Sequence, residues 1–73
     1  MDVSKIKIPQ YLQDTLDKQK RLEDEYEKTN DSWIGIKVKL VWEEVYADIN
    51  QALINNVITE DDARALRKKY LGI

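Results

Sequence analysis

The chain contains no cysteine and no histidine among its 73 residues. It therefore has no disulfide and no thiolate or imidazole ligand, which are the usual means by which so small a protein gains stability or holds a metal. The side chains that most often serve as nucleophile or as proton carrier near neutral pH are missing as well. We therefore expect a protein that is not an enzyme, with no catalytic residue, no metal ion, no cofactor and no small-molecule substrate.

Glycine and proline are scarce, with two glycines and one proline in the chain. Few turn-forming residues, combined with 36% charged side chains, predict long helices rather than a sheet with many turns. Hydrophobic residues make up 42% of the chain, which argues against disorder. We expect residues 1–73 to form a single small helical domain that is marginally stable by itself.

The sequence also lacks a long hydrophobic run and a strong excess of one charge. No apolar stretch approaches the length of a membrane span, and Met1-Asp2 does not begin a signal peptide. The 12 basic and 14 acidic residues leave a net charge of −2, which creates no field favouring nucleic acid or an anionic membrane. We expect a soluble, cytoplasmic, acidic protein whose partner is another protein or a second copy of itself.

The stretch from Ser32 to Asn55 holds both tryptophans and has two apolar faces at the pitch of an α-helix. The broader face is typical of a helix that packs on a core, and it comprises Ile34, Val38, Val41, Trp42, Val45, Ile49, Ala52 and Leu53. The narrower face comprises Trp33, Ile36, Leu40 and Ala47. A helix with two apolar faces needs two neighbours, so this stretch is expected to be the centre of the fold.

A proline separates an alternating N-terminal segment from the first predicted helix. Residues 1–8 end in Lys5-Ile6-Lys7-Ile8, and this alternation predicts a short extended arm. Pro9 suits the first turn of a helix, and the heptad pattern after it predicts a helix from about 9 to 28. The acidic residues from Glu23 to Glu27 are interpreted as part of a solubilising surface, or alternatively as a site for a basic partner.

A short polar turn, Thr29-Asn30-Asp31-Ser32, joins the first helix to the second and offers N-cap candidates. Such a turn makes the two helices antiparallel neighbours, so their apolar seams face each other. In this pairing Gln19 falls beside Trp42, whose indole N–H needs an acceptor when it is buried. The predicted fold class is all-α: an antiparallel helical hairpin with a shorter third helix, at about 9–28, 32–55 and 60–71.

Residues 33–42 also fit a second interpretation. Apolar residues alternate there with Gly35, Lys37 and Lys39, a pattern typical of a β-strand that could pair with residues 3–8. Against the strand, no turn signal separates Leu40 from the helical pattern that follows. The helix is the expected structure, and the strand is the alternative.

The C-terminal part carries clear signals for the ends of helices. Asn55-Asn56 predicts the end of the second helix, because asparagine tolerates the left-handed conformation. Thr59 followed by three acidic residues predicts an N-cap with a capping box, and Gly72 predicts the stop of the third helix.

The same region resembles the SHOCT family of short C-terminal helix–turn–helix modules of bacterial proteins. The resemblance covers residues 49–71 and lies in Ile58-Thr59, the acidic Glu60-Asp61-Asp62, the basic Arg67 and the closing Tyr70-Leu71. The family usually has glycine at the place of Asn56 and an aromatic residue at the place of Ala63. The resemblance implies a role in oligomerisation or interaction and no catalytic residues.

The third helix is too short to cover the whole narrower face of the second. At about 18 Å it reaches only as far as Trp42 or Leu40 when it runs antiparallel to the second helix. Trp33 is then uncovered, unless residues 1–8 fold back over it or it packs against the turn. An exposed tryptophan beside other large apolar residues is typical of a binding surface. We predict a partner interface formed by Trp33, Ile36, Leu40 and Lys37.

The leading functional hypothesis is a small non-catalytic regulator or inhibitor, of the kind encoded by phages and mobile elements, that binds a protein or itself. The alternative is a transcription-regulating helix-turn-helix protein whose third helix contacts phosphates through Arg64, Arg67, Lys68 and Lys69. A recognition helix presents its N-terminal end to DNA, and that end is acidic here, which disfavours the alternative.

Overall fold

The computed structural model describes residues 5–73, which form three α-helices and no strand. Helix α1 comprises Gln10–Thr29, α2 comprises Ser32–Ile54 and α3 comprises Glu60–Leu71. The all-α prediction is therefore confirmed, and the alternative of a strand at residues 33–42 is wrong. Residues 1–4 of the predicted extended arm lie outside the described residues. Measured by length and hydropathy, none of the three helices within residues 5–73 could cross a membrane.

The turn between α1 and α2 explains why residues 33–42 are helical. Asn30 adopts a left-handed conformation with a φ of 51°, which ends α1 and reverses the chain. Asp31 then caps α2, because its Oδ1 accepts the backbone N–H of Trp33 at 2.8 Å. Gly35 lies in the first turn, where a Cβ would come within 3.2 Å of the Tyr26 ring. The Asp31 cap favours a helix where the alternating pattern allowed a strand. The absence of a Cβ at Gly35 lets the Tyr26 ring lie against the first turn of this helix.

Helices α1 and α2 are antiparallel neighbours in the predicted register. The Thr15 hydroxyl donates to Asp48 Oδ2 at 2.6 Å, and Lys18 Nζ lies 3.5 Å from Glu44 Oε1. Both contacts agree with the expected pairing to within one helical turn. The two helices are therefore antiparallel, close to the register that the sequence predicts.

Helix α3 begins with the predicted capping box. Thr59 Oγ1 accepts the backbone N–H of Asp62, and Asp62 Oδ2 accepts the backbone N–H of Thr59, both at 3.1 Å. The helix ends at Gly72, whose φ of 71° is left-handed, and Asn56 has a left-handed φ of 59° in the turn before α3. The predicted end of α2 at Asn55-Asn56 and the predicted stop of α3 at Gly72 are therefore confirmed.

Gln19 is not the acceptor for the indole N–H of Trp42 that the predicted pairing offered, because both side chains donate to α3. Gln19 Nε2 donates to the carbonyl of Tyr70 at 2.9 Å, and Trp42 Nε1 donates to the carbonyl of Leu71 at 3.3 Å. The last carbonyls of a helix have no partner within that helix, so they are available to donors from elsewhere. Side chains of α1 and α2 therefore each hold the C-terminal end of α3.

The hydrophobic core lies where the three helices and the segment before α1 meet. Its buried residues are Ile6, Leu12, Leu16, Val45, Ile49, Ala52, Ile58, Ala63, Leu66 and Leu71. Ile6 is buried and Ile8 is half-buried while Lys5 and Lys7 are exposed, so the alternation of this segment separates core from solvent. None of the residues from 20 to 40 is buried. The hairpin end of α1 and α2 therefore projects beyond the core.

Candidate interaction surface on helix α2

Three large apolar side chains of α2 are exposed on the projecting part of the hairpin. Trp33 is 73% exposed, Ile36 is 52% exposed and Leu40 is 53% exposed. We call these three residues, together with the exposed Lys37, the α2 patch. All four are the residues that the sequence predicts as a partner interface, and they follow one another along one side of the first half of α2.

The arrangement of the helices explains why the α2 patch is exposed. Helix α3 ends at Leu71, whose carbonyl reaches only Trp42, so the part of α2 nearer the turn has α1 as its neighbour. Ile6 belongs to the core, so the described part of the N-terminal segment packs there and leaves Trp33 open. The exposure of Trp33 also excludes the interpretation that it is packed against the turn.

An open groove adjoins the patch on the side of α1. It has a volume of about 320 Å³ and is lined by Lys18 and Leu22 of α1 and by Lys37, Leu40 and Glu44 of α2. The ion pair between Lys18 and Glu44 crosses this groove, and both side chains are half exposed, so it contributes little to stability. The groove thus has apolar walls and charges of each sign.

The groove and one exposed residue on the same side of α2, Ile54, are not among the features predicted from the sequence. The groove depends on how far apart α1 and α2 lie, which no pattern within one helix specifies. Ile54 is 72% exposed and follows Ala47 by seven residues, as Ala47 follows Leu40. This heptad spacing was the signal that could have added Ile54 to the narrower face of α2.

Arg67, one of the four residues predicted to contact phosphate, is held by α2. Its Nη2 donates to Asn50 Oδ1 at 2.5 Å, and its guanidinium lies 5.7 Å from the centre of the Tyr46 ring. Tyr46 in turn stacks on Trp42, with 6.0 Å between the ring centres. Arg67 thus belongs to a ladder of side chains that joins α3 to α2.

The other basic residues of α3 lie on its exposed surface. Arg64 Nη2 is 3.9 Å from Glu60 Oε1, and Lys69 Nζ is 5.3 Å from the centre of the Tyr70 ring. Lys68 is exposed. With Arg67 turned to α2, two cations remain in the last turn of α3, Lys68 and Lys69, where a positive charge interacts favourably with the helix dipole.

Comparisons with known proteins give no assignment: no protein-family model, no curated protein and no solved structure matches this chain. The resemblance of residues 49–71 to SHOCT modules therefore stays a prediction. The function has to be inferred from the exposed surface and its chemistry.

Proposed function

We propose that this protein is a small non-catalytic interaction module that binds a protein partner or itself through the α2 patch. The observation that carries the proposal is the exposure of Trp33, Ile36 and Leu40 side by side, each by more than half. Full removal of a large apolar side chain from water is favourable by roughly 1.5–3 kcal/mol of free energy, so such a cluster favours association.

The composition of the patch supports a protein as its ligand. Tryptophan is enriched among the residues that dominate binding energy at protein interfaces. It contributes most where neighbouring contacts exclude water from it. Ile36 and Leu40 provide such neighbours, and Lys37 supplies a charge at the rim. A regulator or inhibitor acting in this way needs no cofactor, because occupancy of the partner is itself the effect.

The proposal is tested by removing the central side chain. Trp33→Ala is compared with wild type in affinity capture from an extract of cells that produce the protein, and in light scattering after size-exclusion chromatography. We expect Trp33→Ala to weaken binding at least about thirtyfold, as for a central interface tryptophan. Neither folding nor helix content should change, because Trp33 is not part of the core.

Ile54→Ala is the matched control for this experiment. Ile54 is exposed to the same degree as Trp33 and lies on the same helix, but at the opposite end of α2. If α2 bound proteins non-specifically through any exposed apolar residue, both changes would weaken binding. If the α2 patch binds specifically, only Trp33→Ala weakens binding. If Trp33→Ala matches wild type in both capture and mass, the α2 patch is not the binding surface.

The alternative of phosphate contact by Arg64, Arg67, Lys68 and Lys69 receives no such support. Arg67 is engaged by Asn50 and Tyr46, and the N-terminal turn of α3 carries three carboxylates. A salt-dependent mobility shift of duplex DNA that is lost in Lys68→Ala and Arg64→Ala would favour it over the protein-binding proposal.

A further inference from the structure

The exposed apolar residues of α2 are arranged as a seam for another long helix. Trp33, Leu40 and Ala47 are seven residues apart, Ile36 widens the seam, and all four are exposed. Together they span about 21 Å along the helix. Heptad spacing keeps side chains facing a second helix over several turns, whereas a ligand that inserts one side chain needs only a local pocket.

The charges beside this seam change sign along the helix. Lys37 and Lys39 flank its first half, and Glu43 and Glu44 flank its second half. By helical position, Lys37 and Glu44 lie on the flank toward α1, where Glu44 contacts Lys18, and Lys39 and Glu43 lie on the opposite flank. Along α2, each flank thus carries a lysine toward the N-terminal end and a glutamate toward the C-terminal end. It is therefore complementary in charge to the same flank of a second, antiparallel α2 helix.

We propose that the occupant of the α2 patch is a second copy of this chain, packed antiparallel about a two-fold axis near Leu40. This inference rests on the proposed function, because it names the partner of the same surface. In an antiparallel two-fold pair each flank meets the same flank of the other copy. Leu40 then meets Leu40 of the second copy, and the large Trp33 covers the small Ala47 of the second copy.

The same register pairs the charges. Lys37 faces Glu44 of the second copy on one flank, and Lys39 faces Glu43 of the second copy on the other. The two-fold axis repeats both pairs, so four opposite-charge contacts surround the seam. No shift of the chain is needed to obtain them, because the register that centres Leu40 also aligns both flanks.

A parallel pair of α2 helices fits the sequence worse. Glu43 follows Ile36 by seven residues and so occupies the same position relative to the seam. In a parallel pair the two Glu43 carboxylates would face each other within the seam, which costs free energy through like-charge repulsion. The antiparallel arrangement instead places Glu43 between Ile36 and Lys39 of the second copy, where Lys39 can pair with its carboxylate.

Charge reversal at Lys39 and Glu43 tests the inference without replacing any apolar residue of the seam. Within residues 5–73 neither side chain belongs to an ion pair, since the two ion pairs are Lys18–Glu44 and Arg64–Glu60. Sedimentation equilibrium at low salt is measured for wild type, Lys39→Glu, Glu43→Lys and an equimolar mixture of the two variants. We expect each variant alone to dimerise about tenfold more weakly than wild type, because its flank meets like charge.

The mixture distinguishes contacts between chains from effects within one chain. In each variant, residues 39 and 43 of the same chain carry like charges, and mixing does not change this. In a heterodimer of the two variants, residue 39 of each chain faces an opposite charge at residue 43 of the other chain. We expect the mixture to dimerise within about threefold of wild type, and both variants to weaken less at high salt. Glu23→Lys, a reversal on the exposed surface of α1, is expected to leave dimerisation unchanged.

Orientation is tested by a single cysteine, since the chain has none of its own. Ala47→Cys should not form a disulfide between copies in the antiparallel pair, because the two positions lie far apart on opposite sides of the axis. Rapid disulfide formation by Ala47→Cys would overturn the antiparallel register. A wild-type chain that stays monomeric at millimolar concentration would overturn self-association altogether.

These outcomes can be told apart from failure of the proposed function. A monomeric wild type whose capture of another protein is lost in Trp33→Ala rejects the second copy as partner and leaves the patch as an interface. A dimer that responds to charge reversal and to Trp33→Ala supports both. A dimer that ignores the charge reversals rejects the proposed pairing of α2 helices, and the proposed function fails as well only if Trp33→Ala also leaves the capture of other proteins unchanged.

Discussion

Two side chains from different helices hold the end of α3. Gln19 of α1 and Trp42 of α2 donate to consecutive carbonyls, those of Tyr70 and Leu71. Gln19 is 2% exposed, so its amide has lost contact with water and depends on this acceptor. A buried polar residue of α1 therefore helps to fix where the third helix docks.

Replacing Gln19 by alanine should destabilise the protein strongly. The change removes a buried hydrogen bond, strands the carbonyl of Tyr70 and leaves space in the seam, at a combined cost of about 2–3 kcal/mol. Urea denaturation followed by circular dichroism measures the loss in free energy of unfolding. Gln10→Ala is the control, since Gln10 is exposed and bonds only its neighbour Asp14, and it should change stability by less than about 0.5 kcal/mol. Equal losses for the two variants would contradict the role of Gln19.

At the scale of elements, α3 is stable only through its surroundings. A helix of 12 residues is marginal in water by itself. Here its first turn is closed by the capping box of Thr59 and Asp62, its last turn is held by α1 and α2, and Ala63, Leu66 and Leu71 are buried. Its two ends as well as its apolar face thus hold it in position.

Removing the cap should loosen α3 from its N-terminal end. Thr59→Ala deletes the acceptor for the N–H of Asp62 and is expected to cost about 1 kcal/mol in free energy of unfolding. Amide hydrogen exchange should speed up at residues 61–66 more than in α1. Thr59→Ser keeps the hydroxyl and should retain most of the stability. A Thr59→Ala protein that exchanges these amides at the wild-type rate would show that the cap is dispensable.

The whole molecule has two unequal halves. One half contains the core, with all three helices and the segment from Lys5 to Ile8. The other half consists of the hairpin end, residues 20–40, in which no residue is buried. The chain is accordingly elongated, with principal extents of 37 × 21 × 21 Å. Burial is the main source of local stability, so the two halves should open at different free energies.

Hydrogen exchange by the dilute protein should show this difference directly. Amides of residues 24–29 and 35–39 are expected to exchange at least about tenfold faster than those of residues 45–52, because opening the hairpin end exposes little apolar surface. The comparison uses low protein concentration, so that association does not protect α2. Uniform protection along α2 would contradict the division into two halves.

The sequence predicts much of this fold because its signals are local. The heptad spacing of α1, the two apolar faces of α2 and the Thr59 cap specify helices and their antiparallel order. The same arithmetic predicts that Trp33 lies beyond the reach of α3. The acceptors of Gln19 and Trp42 could not be predicted, because they depend on where the last turn of α3 lands on the hairpin. The groove beside Leu40 depends likewise on the spacing of two helices.

The projecting hairpin end separates the residues of the proposed interface from those that hold the chain folded. Residues 33, 36, 37 and 40 are exposed and lie outside the core, so a library randomised at these positions should consist mostly of folded proteins. New specificity can then be selected one side chain at a time, without compensating changes elsewhere. A 73-residue scaffold with this separation would tolerate rapid divergence of its surface while its helices stay in register.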